Sequence, residues 1–539
     1  MKTWIYLFLF FSLRPLLFAQ EPDAPRLIVG IVVDQMRDEY LQRFHDKFAE
    51  DGFRRLLDEG FRFKEMHFNY VPTYTGPGHA SIYTGSTPAV HGIVGNHWVQ
   101  AAGRKVVYCV DDANEKSLGV PGNSGKKSPR KLLSTTLSDQ LKLADNFRPR
   151  VLSVSLKDRA AILPGGRFAD WAFWLDKESG KMVSSSYYGE ALPGWVRAFN
   201  RQERARHWLD RPWETLLPLE AYTESYADDN PYEELFPGEE RPVFPHDLPA
   251  IRQKMGLELL YHTPFGNDFL AEFAQAAIEG EGLGNHPGRS DMLMISFSST
   301  DVVGHRYGPQ SVEVEDTYLR LDRNLSALFR YLDEKIGKGR YLLFLTSDHG
   351  VAEVPAFVMD KKGSAGYFNS DSLFRGLKAR LFELFHDSLA IASYNHQIYF
   401  NPEKMPPMYQ ARKAVYEAAK DYYLAREGVA RVYTEYDLES CGSGDPYCDE
   451  LSRGFLPARS GEVMILLKPG WLSYKKRGSS HGSPYNYDTH VPFLLYGWHI
   501  PQGTNTERVF INDVAPTICE LLGIDLPSGN TGKGLTDQF

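Results

Sequence analysis

Three stretches of apolar residues, rich in branched side chains, each run into a polar segment that contains an aspartate. The stretches are 27–33, 291–297 and 341–346, and the aspartates are Asp34, Asp301 and Asp348. Continuous apolar strands are typical of a parallel sheet that is covered by helices on both faces. Ligands and catalytic groups collect at the carboxyl ends of such strands. The sequence therefore predicts an α/β fold with a mostly parallel central sheet and a functional site at one edge of that sheet.

Helical patterns and further strand patterns fill the rest of the chain. The clearest helix is 312–336, where apolar residues alternate at steps of four and three. The other expected helices are 40–59, 132–143, 373–385, 409–426 and 512–522, and the other expected strands are 150–155, 462–467, two short ones around Ile398 and Val432, and a last one after His490. Residues 171–288 show no alternation of strand and helix. We therefore expect one catalytic domain, 21–539, with insertions at about 171–288 and 360–460 that roof the site.

The charge balance bears on the class of binding partner, and the first twenty residues bear on the cellular compartment. With 60 basic and 69 acidic residues the formal net charge is −9, and no basic run is long enough for a nucleic-acid groove. Met1–Gln20 resembles a secretory signal peptide, with a basic Lys2 and an apolar stretch that Arg14 interrupts; an uncleaved anchor is the alternative. We expect export to the periplasm, no nucleic-acid partner and no membrane span after cleavage. Nothing in the sequence indicates an oligomeric state.

The four cysteines do not form a C-x-x-C motif, which disfavours a zinc site built on thiolates. Cys441 and Cys448 flank a loop of Gly, Pro and Asp and could close a small disulfide, which fits an exported protein. Cys109 and Cys519 lie far apart in sequence, and their pairing stays open.

The segment Val71–Gly85 contains the best candidate for a nucleophile. Glycines and a proline follow Thr75 directly, and a helix-compatible run follows them. This pattern predicts a tight turn into a helix that exposes the threonine hydroxyl. Backbone N–H groups and the positive end of the helix suit an oxyanion there, such as phosphate or sulfate. A threonine hydroxyl is a weak nucleophile at neutral pH, so a metal ion or a base must activate it.

Aspartate and histidine recur near the strand ends in spacings that suit metal ligands. The set is Asp34, Asp301 with His305 four residues later, the adjacent Asp348 and His349, and one of the two later histidines, His481 or His490. We prefer His481 because it lies in a His-Gly context, and His490 with Asp488 could support the ligands. Six oxygen and nitrogen ligands are too many for one tetrahedral zinc, so the set predicts two ions. For Asp34 alone, capping of the next helix is the alternative.

Three further residues could bind the oxygens of a phosphoryl group. Asn96 offers an amide donor. Lys157 and Arg159 follow a predicted strand two positions apart, so both side chains can point the same way from an extended backbone. Taken alone, Asn96 also fits a turn residue and the two cations a solvated surface cluster.

In this order along the chain, these motifs resemble the alkaline phosphatase superfamily. The shared features are an Asp after the first strand, Thr75 in a Thr-Gly-x-Gly-His-Ala turn, an Asp-x3-His motif at Asp301, an Asp-His-Gly motif at Asp348 and a late His-Gly at His481. Asn96 and the Lys157-x-Arg159 pair are most similar to the phosphate-irrepressible alkaline phosphatases, which are periplasmic monoesterases with a threonine nucleophile. The resemblance extends from Asp34 to the C-terminal helix.

The resemblance implies an alkaline-phosphatase-like fold, two Zn²⁺ ions and hydrolysis of small-molecule phosphate monoesters through a phosphothreonine on Thr75. It assigns one ion to Asp301, His305 and His481, the other to Asp34, Thr75, Asp348 and His349, and the phosphoryl oxygens to Asn96, Lys157 and Arg159.

Other activities stay open. A phosphodiesterase or nucleotide pyrophosphatase of the same superfamily would use the same metal site, but a diester has one anionic oxygen fewer and gains less from Lys157 and Arg159. A protein that bound a metal or an anion without catalysis would not need Thr75, Asn96, Lys157 and Arg159 in addition to the complete set of metal ligands. Sulfate ester hydrolysis is disfavoured because the related sulfatases use a modified Cys or Ser where this chain has Thr75.

Overall fold

Strands and helices alternate along most of the chain. The computed structural model describes residues 24–100, 105–286, 288–442 and 444–539. The strands are β1 Leu27–Val33, β2 Phe61–His67, β3 His97–Gln100, β4 Lys105–Tyr108, β5 Ser117–Leu118, β6 Val151–Ser155, β7 Trp171–Asp176, β8 Lys181–Ser185, β9 Asp291–Phe297, β10 Tyr341–Thr346, β11 Gly366–Tyr367, β12 Ala390–Tyr394, β13 Gln397–Phe400, β14 Val429–Thr434, β15 Val463–Leu467, β16 Trp471–Leu472, β17 His490–Gly497 and β18 Gly503–Phe510.

The helices vary from single turns to one of 24 residues. They are α1 Tyr40–Arg43, α2 Phe53–Glu59, α3 Thr75–Thr84, α4 Pro88–His91, α5 Leu137–Ala144, α6 Asp158–Gly165, α7 Gly194–Asn200, α8 Arg204–Leu209, α9 Leu248–Met255, α10 Phe265–Glu281, α11 Ser299–Tyr307, α12 Val312–Lys335, α13 Pro355–Asp360, α14 Ser370–Phe385, α15 Tyr409–Leu424, α16 Glu435–Glu439, α17 Pro446–Gly454, α18 Asn486–Thr489 and α19 Val514–Leu522.

Ten strands form one central sheet in the order β18-β2-β17-β10-β1-β9-β6-β7-β8-β5. The middle of the sheet is parallel, because β1 pairs with both β9 and β10 in the same direction and β6 extends the run. Strand β17 is antiparallel to β10 and β2, and β8 is antiparallel to β7. The predicted α/β class is confirmed, with a mixed sheet whose parallel centre contains the strands predicted from the apolar runs.

The two faces of the sheet build two separate cores, because successive strand residues point to opposite faces. All seven residues of β1 are buried. Leu27, Val29 and Ile31 pack in a core with α10 and α12, whereas Ile28 and Val32 pack with α3, α5 and α19. Burying each such side chain contributes about 1.5–3 kcal/mol, so burial on both faces stabilises β1 at the centre of the sheet.

Three sequence-based element predictions are wrong in extent. The single helix expected at 40–59 is two helices, because the backbone N–H groups of Ala49 and Phe53 donate to the Asp322 carboxylate at 2.6 and 2.7 Å and hold a bend between them. The helix expected from Leu132 begins at Leu137, where Thr136 and Asp139 form a capping box.

The third error concerns residues 171–288, where the sequence shows no alternation of strand and helix. Strands β7 and β8 continue the central sheet, and α10 is a helix of 17 residues whose phenylalanines lie in the larger core. The strand pattern is hidden because both strands are short, β7 is rich in aromatic residues and β8 has only two apolar residues. The helix follows a loop-rich stretch that dominates the composition.

A smaller sheet takes three of its strands from the expected second insertion, about 360–460, and the fourth from the strand expected at 462–467. Its strand order is β12-β13-β15-β14, and α14 and α15 pack on it around a core of their own. The expected Cys441–Cys448 disulfide is present next to this unit, with an S–S distance of 2.01 Å. Cys109 and Cys519 are buried free thiols.

In the described part of the chain, no helix is both long enough and apolar enough to cross a membrane. The expected signal peptide, 1–20, lies outside the described residues.

Candidate active site

The central strands bring the predicted aspartates to one edge of the sheet. Val33 pairs with Phe297 and Val32 with Thr346 in the parallel register, so the three strands end side by side. Asp34, Asp301 and Asp348 follow these ends directly or within one helical turn, and all three are at most 4% exposed. The edge therefore concentrates three carboxylates in a buried space.

Thr75 is the first residue of α3 and points into this space. Its Oγ1 lies 3.5 Å from His349 Nε2 and 3.4 Å from Arg159 Nη2. The helix can approach so closely because Gly78 has no side chain: a Cβ there would lie 2.3 Å from the Asp348 carbonyl oxygen. The glycine of the turn is thus required for close contact with the strand end.

Two groups of side chains around Thr75 have the geometry of metal-binding clusters. One group is Asp34, Asp348 and His349, and the other is Asp301, His349 and His481; in each, the ligand atoms lie within 4.8 Å of one another. His305 joins the second group through Asp301, with 3.1 Å between its Nε2 and Asp301 Oδ1. All seven expected ligands lie in one site. His349 belongs to both groups, whereas the resemblance assigns it to one ion only.

Each of the three histidines is oriented by the backbone. The Nδ1 atoms of His305, His349 and His481 donate to the carbonyls of Ser479, Gly350 and Thr73 at 2.7, 2.9 and 2.7 Å. This bond places the proton on Nδ1 and leaves the Nε2 lone pair facing the carboxylates, as in metal-ligating histidines.

Burial leaves the histidines of the site neutral and two of its carboxyl groups without full compensation for their charge. Burial keeps the pKa of His481 down at about 3 and that of His349 well below its usual value, so both rings are neutral. Burial raises the pKa of Asp34 well above its usual value, and that of Asp348 to about 7. Asp34 Oδ1 and Asp348 Oδ2 are buried without a hydrogen-bond partner among the described residues. Buried oxygens of this kind are satisfied by a bound cation.

Lys157 lies between the two clusters. Its Nζ is 2.6 Å from Asp34 Oδ2 and 2.6 Å from Asp301 Oδ2. Burial opposes its charge, but Asp301 and Asp34 raise the pKa of Lys157 above its usual value. In this structure the ammonium therefore contacts two of the expected metal ligands.

Asn96 and Arg159 lie on the other side of Thr75. The Gly76 N–H donates to Asn96 Oδ1 at 2.7 Å, which fixes the amide so that its NH₂ group is left as a donor. Arg159 belongs to the first turn of α6, and Lys157 is the residue before that helix, so the expected extended backbone through both is wrong. The helix nevertheless directs both cations to the site.

Sequence reasoning missed several residues that orient the site. Tyr108 OH donates to Asp158 and accepts from Arg159 Nη1 at 3.1 Å. Gln35 Nε2 donates to Asp301 Oδ1 at 2.7 Å, and His79 Nδ1 donates to the Thr75 carbonyl at 2.9 Å. Gln35 and His79 adjoin motifs that are visible in the sequence, but no local signal connects Tyr108 with Arg159, 51 positions away.

The structure separates the two late histidines. His481 lies in the site, and Asp488 holds its loop by accepting from the N–H groups of Gly482 and Ser483 at 3.0 and 2.8 Å. His490 begins β17 and donates from Nε2 to the Lys64 carbonyl at 2.7 Å.

A cleft of about 760 Å³ opens from Arg159, Asp301 and His305 towards solvent. Its outer wall includes Trp174, Tyr261 and His262, which belong to the region 171–288. This region therefore lines the space in front of the site.

The chain is similar to characterised proteins over almost its whole length. Residues 28–491 match the model of a family described as type I phosphodiesterase / nucleotide pyrophosphatase. A protein named calcium-transporting ATPase from Myroides odoratus is 41% identical over 98% of this chain and 97% of its own length. Alkaline phosphatase PhoV from Synechococcus elongatus is 40% identical over 98% of this chain and 95% of its own length.

A third relative has a solved structure. Alkaline phosphatase PafA from Elizabethkingia meningoseptica is 41% identical over 97% of this chain and 96% of its own length. A crystal structure of PafA matches with a TM-score of 0.91 at 40% identity, covering 95% of this chain and 99% of that chain. A structure of a PafA variant substituted at a threonine, an asparagine, a lysine and an arginine matches with a TM-score of 0.90.

Proposed function

The chain belongs to the type I phosphodiesterase / nucleotide pyrophosphatase family, in the alkaline phosphatase superfamily, and we propose that it hydrolyses small-molecule phosphate monoesters with two Zn²⁺ ions and a phosphothreonine on Thr75. The observation that carries the proposal is the position of the Thr75 hydroxyl, within 3.5 Å of both His349 Nε2 and Arg159 Nη2. This position supports Thr75 as the nucleophile, between residues that could hold a metal ion and an arginine that could bind the phosphoryl group.

The chain's own groups define the proposed reaction. Asp301, His305 and His481 would hold one zinc, and Asp34, Thr75, Asp348 and His349 the other. Zinc bound there supplies Lewis-acid stabilisation of the threonine alkoxide and of the leaving oxygen. Thr75 Oγ1 would lose its proton and form a bond to phosphorus as the ester P–O bond breaks, and the leaving oxygen would take up a proton and depart as the alcohol. Water would then break the bond between phosphorus and Thr75 Oγ1, which releases inorganic phosphate and returns the Thr75 hydroxyl.

Arg159 and Asn96 are proposed to hold the non-bridging oxygens during this transfer. The guanidinium offers two parallel donors and a charge that matches a dianionic phosphoryl group, and the NH₂ group of Asn96 adds a third donor. Zinc bound to Asp34 and Asp301 would displace the Lys157 ammonium from these carboxylates. Lys157 could then bind a phosphoryl oxygen, which is the role expected from the sequence.

The nearest alternative is cleavage of phosphodiesters, because the family description names diesterases. A diester carries one negative charge fewer on its non-bridging oxygens, so it would interact less strongly with the Arg159 guanidinium. The relatives at 40–41% identity include two named alkaline phosphatases, and the PafA variant carries changes at the four residue types proposed here to contact phosphate.

The test compares an aryl phosphate monoester with its methyl diester at equal concentrations, with and without a zinc chelator. We expect kcat/KM to be higher for the monoester by at least about 100-fold, and chelation to remove both activities. Faster cleavage of the diester would reject the monoester assignment, and activity that survives complete chelation would reject the metal site.

We also propose that the protein is exported to the periplasm and that residues 21–539 act as one catalytic domain with insertions at about 171–288 and 360–460. The signal-like sequence of Met1–Gln20 and the disulfide Cys441–Cys448 support export, since such bonds persist in oxidising compartments.

A further inference from the structure

A second set of metal-binding residue types lies where β2 ends and β17 begins. His67 and His490 are direct partners in the antiparallel register, and Glu65 is two residues before His67 on the same face of β2. The ligand atoms of the three residues lie within 4.8 Å of one another. None of the three belongs to the clusters around Thr75.

The spacing of the first two ligands suits a common ion. Glu65 Oε2 lies 3.1 Å from His67 Nε2. Two ligand atoms that are each about 2.0–2.1 Å from one tetrahedral ion are separated by roughly 3.3 Å. An ion could therefore replace the hydrogen bond with little movement of either side chain.

The third ligand is oriented but can still adjust. The His490 ring stacks on the His67 ring at 4.6 Å between centroids and 10° between planes. Donation from His490 Nε2 to the Lys64 carbonyl leaves the lone pair on Nδ1. The His490 and Glu65 side chains are 29% and 46% exposed, whereas His67 is buried, so two adjustable ligands surround one fixed ligand.

Arg508 on β18 is the cross-strand partner of Glu65 and helps to lower the pKa of that carboxylate, but it makes no direct ion pair with it. Among the described residues, no Lys or Arg nitrogen lies within 4.0 Å of Glu65, and His67 is its only ion-pair partner. The nearby Asp38, 3.8 Å from His490 Nε2, is instead bound by Arg62 at 2.7 and 3.0 Å. Glu65 is thus the carboxylate available to an incoming ion.

We infer that Glu65, His67 and His490 bind one additional transition-metal ion of the zinc class, apart from the catalytic cluster. Two imidazoles and one carboxylate suit Zn²⁺, Ni²⁺ or Cu²⁺ and not Mg²⁺ or Ca²⁺, which prefer oxygen ligands. The partial exposure of two ligands leaves a coordination position for water. The ion would connect β2, which leads into the Thr75 segment, to β17.

The test measures zinc per chain after dialysis of the zinc-loaded enzyme against buffer with a fixed small excess of Zn²⁺. We expect wild type to hold one equivalent more than the Glu65→Gln and His490→Gln variants. Glu507→Gln, an exposed glutamate on the neighbouring β18, is the matched control and should keep the wild-type content.

Turnover of an aryl phosphate distinguishes this site from the catalytic one. Both variants should retain wild-type kcat, because none of the three residues contacts the proposed reaction centre. Equal zinc content in wild type and both variants would overturn the inference. So would a parallel fall in zinc content and kcat, since the missing ion would then belong to the catalytic cluster.

Discussion

The two sides of Thr75 are built in different ways. On the cation side, Asp34, Asp301 and Asp348 follow the ends of three paired strands, and the backbone ladder fixes their positions. On the anion side, Asn96 and Arg159 come from a loop and a helix start, and hydrogen bonds of their own side chains hold them, with the Gly76 N–H for Asn96 and the Tyr108 hydroxyl for Arg159. The cation side thus depends on the sheet, whereas the anion side depends on a layer of hydrogen bonds that single substitutions can remove.

The hydroxyl that both sides share should give the largest effect. We expect Thr75→Ala to lower kcat by about 10⁴–10⁶-fold, as loss of a nucleophile does elsewhere, and to abolish the phosphoenzyme. Zinc content and folding should stay close to wild type, because the aspartates and histidines remain. Thr75→Ser is the control that restores a hydroxyl. Rapid-quench mass spectrometry and metal analysis would check both points; a phosphorylated Thr75→Ala protein would show that another residue is the nucleophile.

The anion side can then be tested alone. Arg159→Ala should lower kcat/KM for the monoester by about 10²–10³-fold, comparable to loss of a donor to a developing oxyanion, and lower diester cleavage far less. Zinc content should not change, since Arg159 contacts none of the proposed ligands except the Thr75 hydroxyl. Arg159→Lys keeps the charge and loses the fork, so it should recover only part of the loss. Equal losses for both esters would remove the reason for assigning monoesters.

The same contrast explains how far the sequence could predict this molecule. Strand ends followed by Asp or His are local features, so the sequence alone was enough to place the three aspartates, His305 and His349 at one sheet edge. The choice of His481 rested on a two-residue context, and the structure brings that histidine to the metal clusters.

What could not be predicted depends on tertiary contacts. The bend in the 40–59 region is set by Asp322, about 270 positions away, and the support of Arg159 comes from Tyr108 on a short hairpin. The Glu65, His67 and His490 group joins residues more than 400 positions apart through strand pairing. Such pairs leave no periodic pattern in the sequence, because a tertiary contact between distant segments brings the residues together.

The smallest expected effect concerns the hydrogen-bond layer itself. Tyr108 OH accepts from Arg159 and donates to Asp158, and the His97 ring packs on the Tyr108 ring at 4.6 Å. Tyr108→Phe removes the bond that aligns the guanidinium, so we expect kcat/KM for the monoester to fall about tenfold, equivalent to ~1.4 kcal/mol. In the Arg159→Ala background the same change should have no further effect, because there is no guanidinium left to align.

Tyr188→Phe, which removes a buried hydroxyl without a partner among the described residues, is the control and should leave turnover unchanged. If Tyr108→Phe and Arg159→Ala were additive, Tyr108 would act on the substrate directly, and the anion side would contain a further binding residue instead of a supporting one.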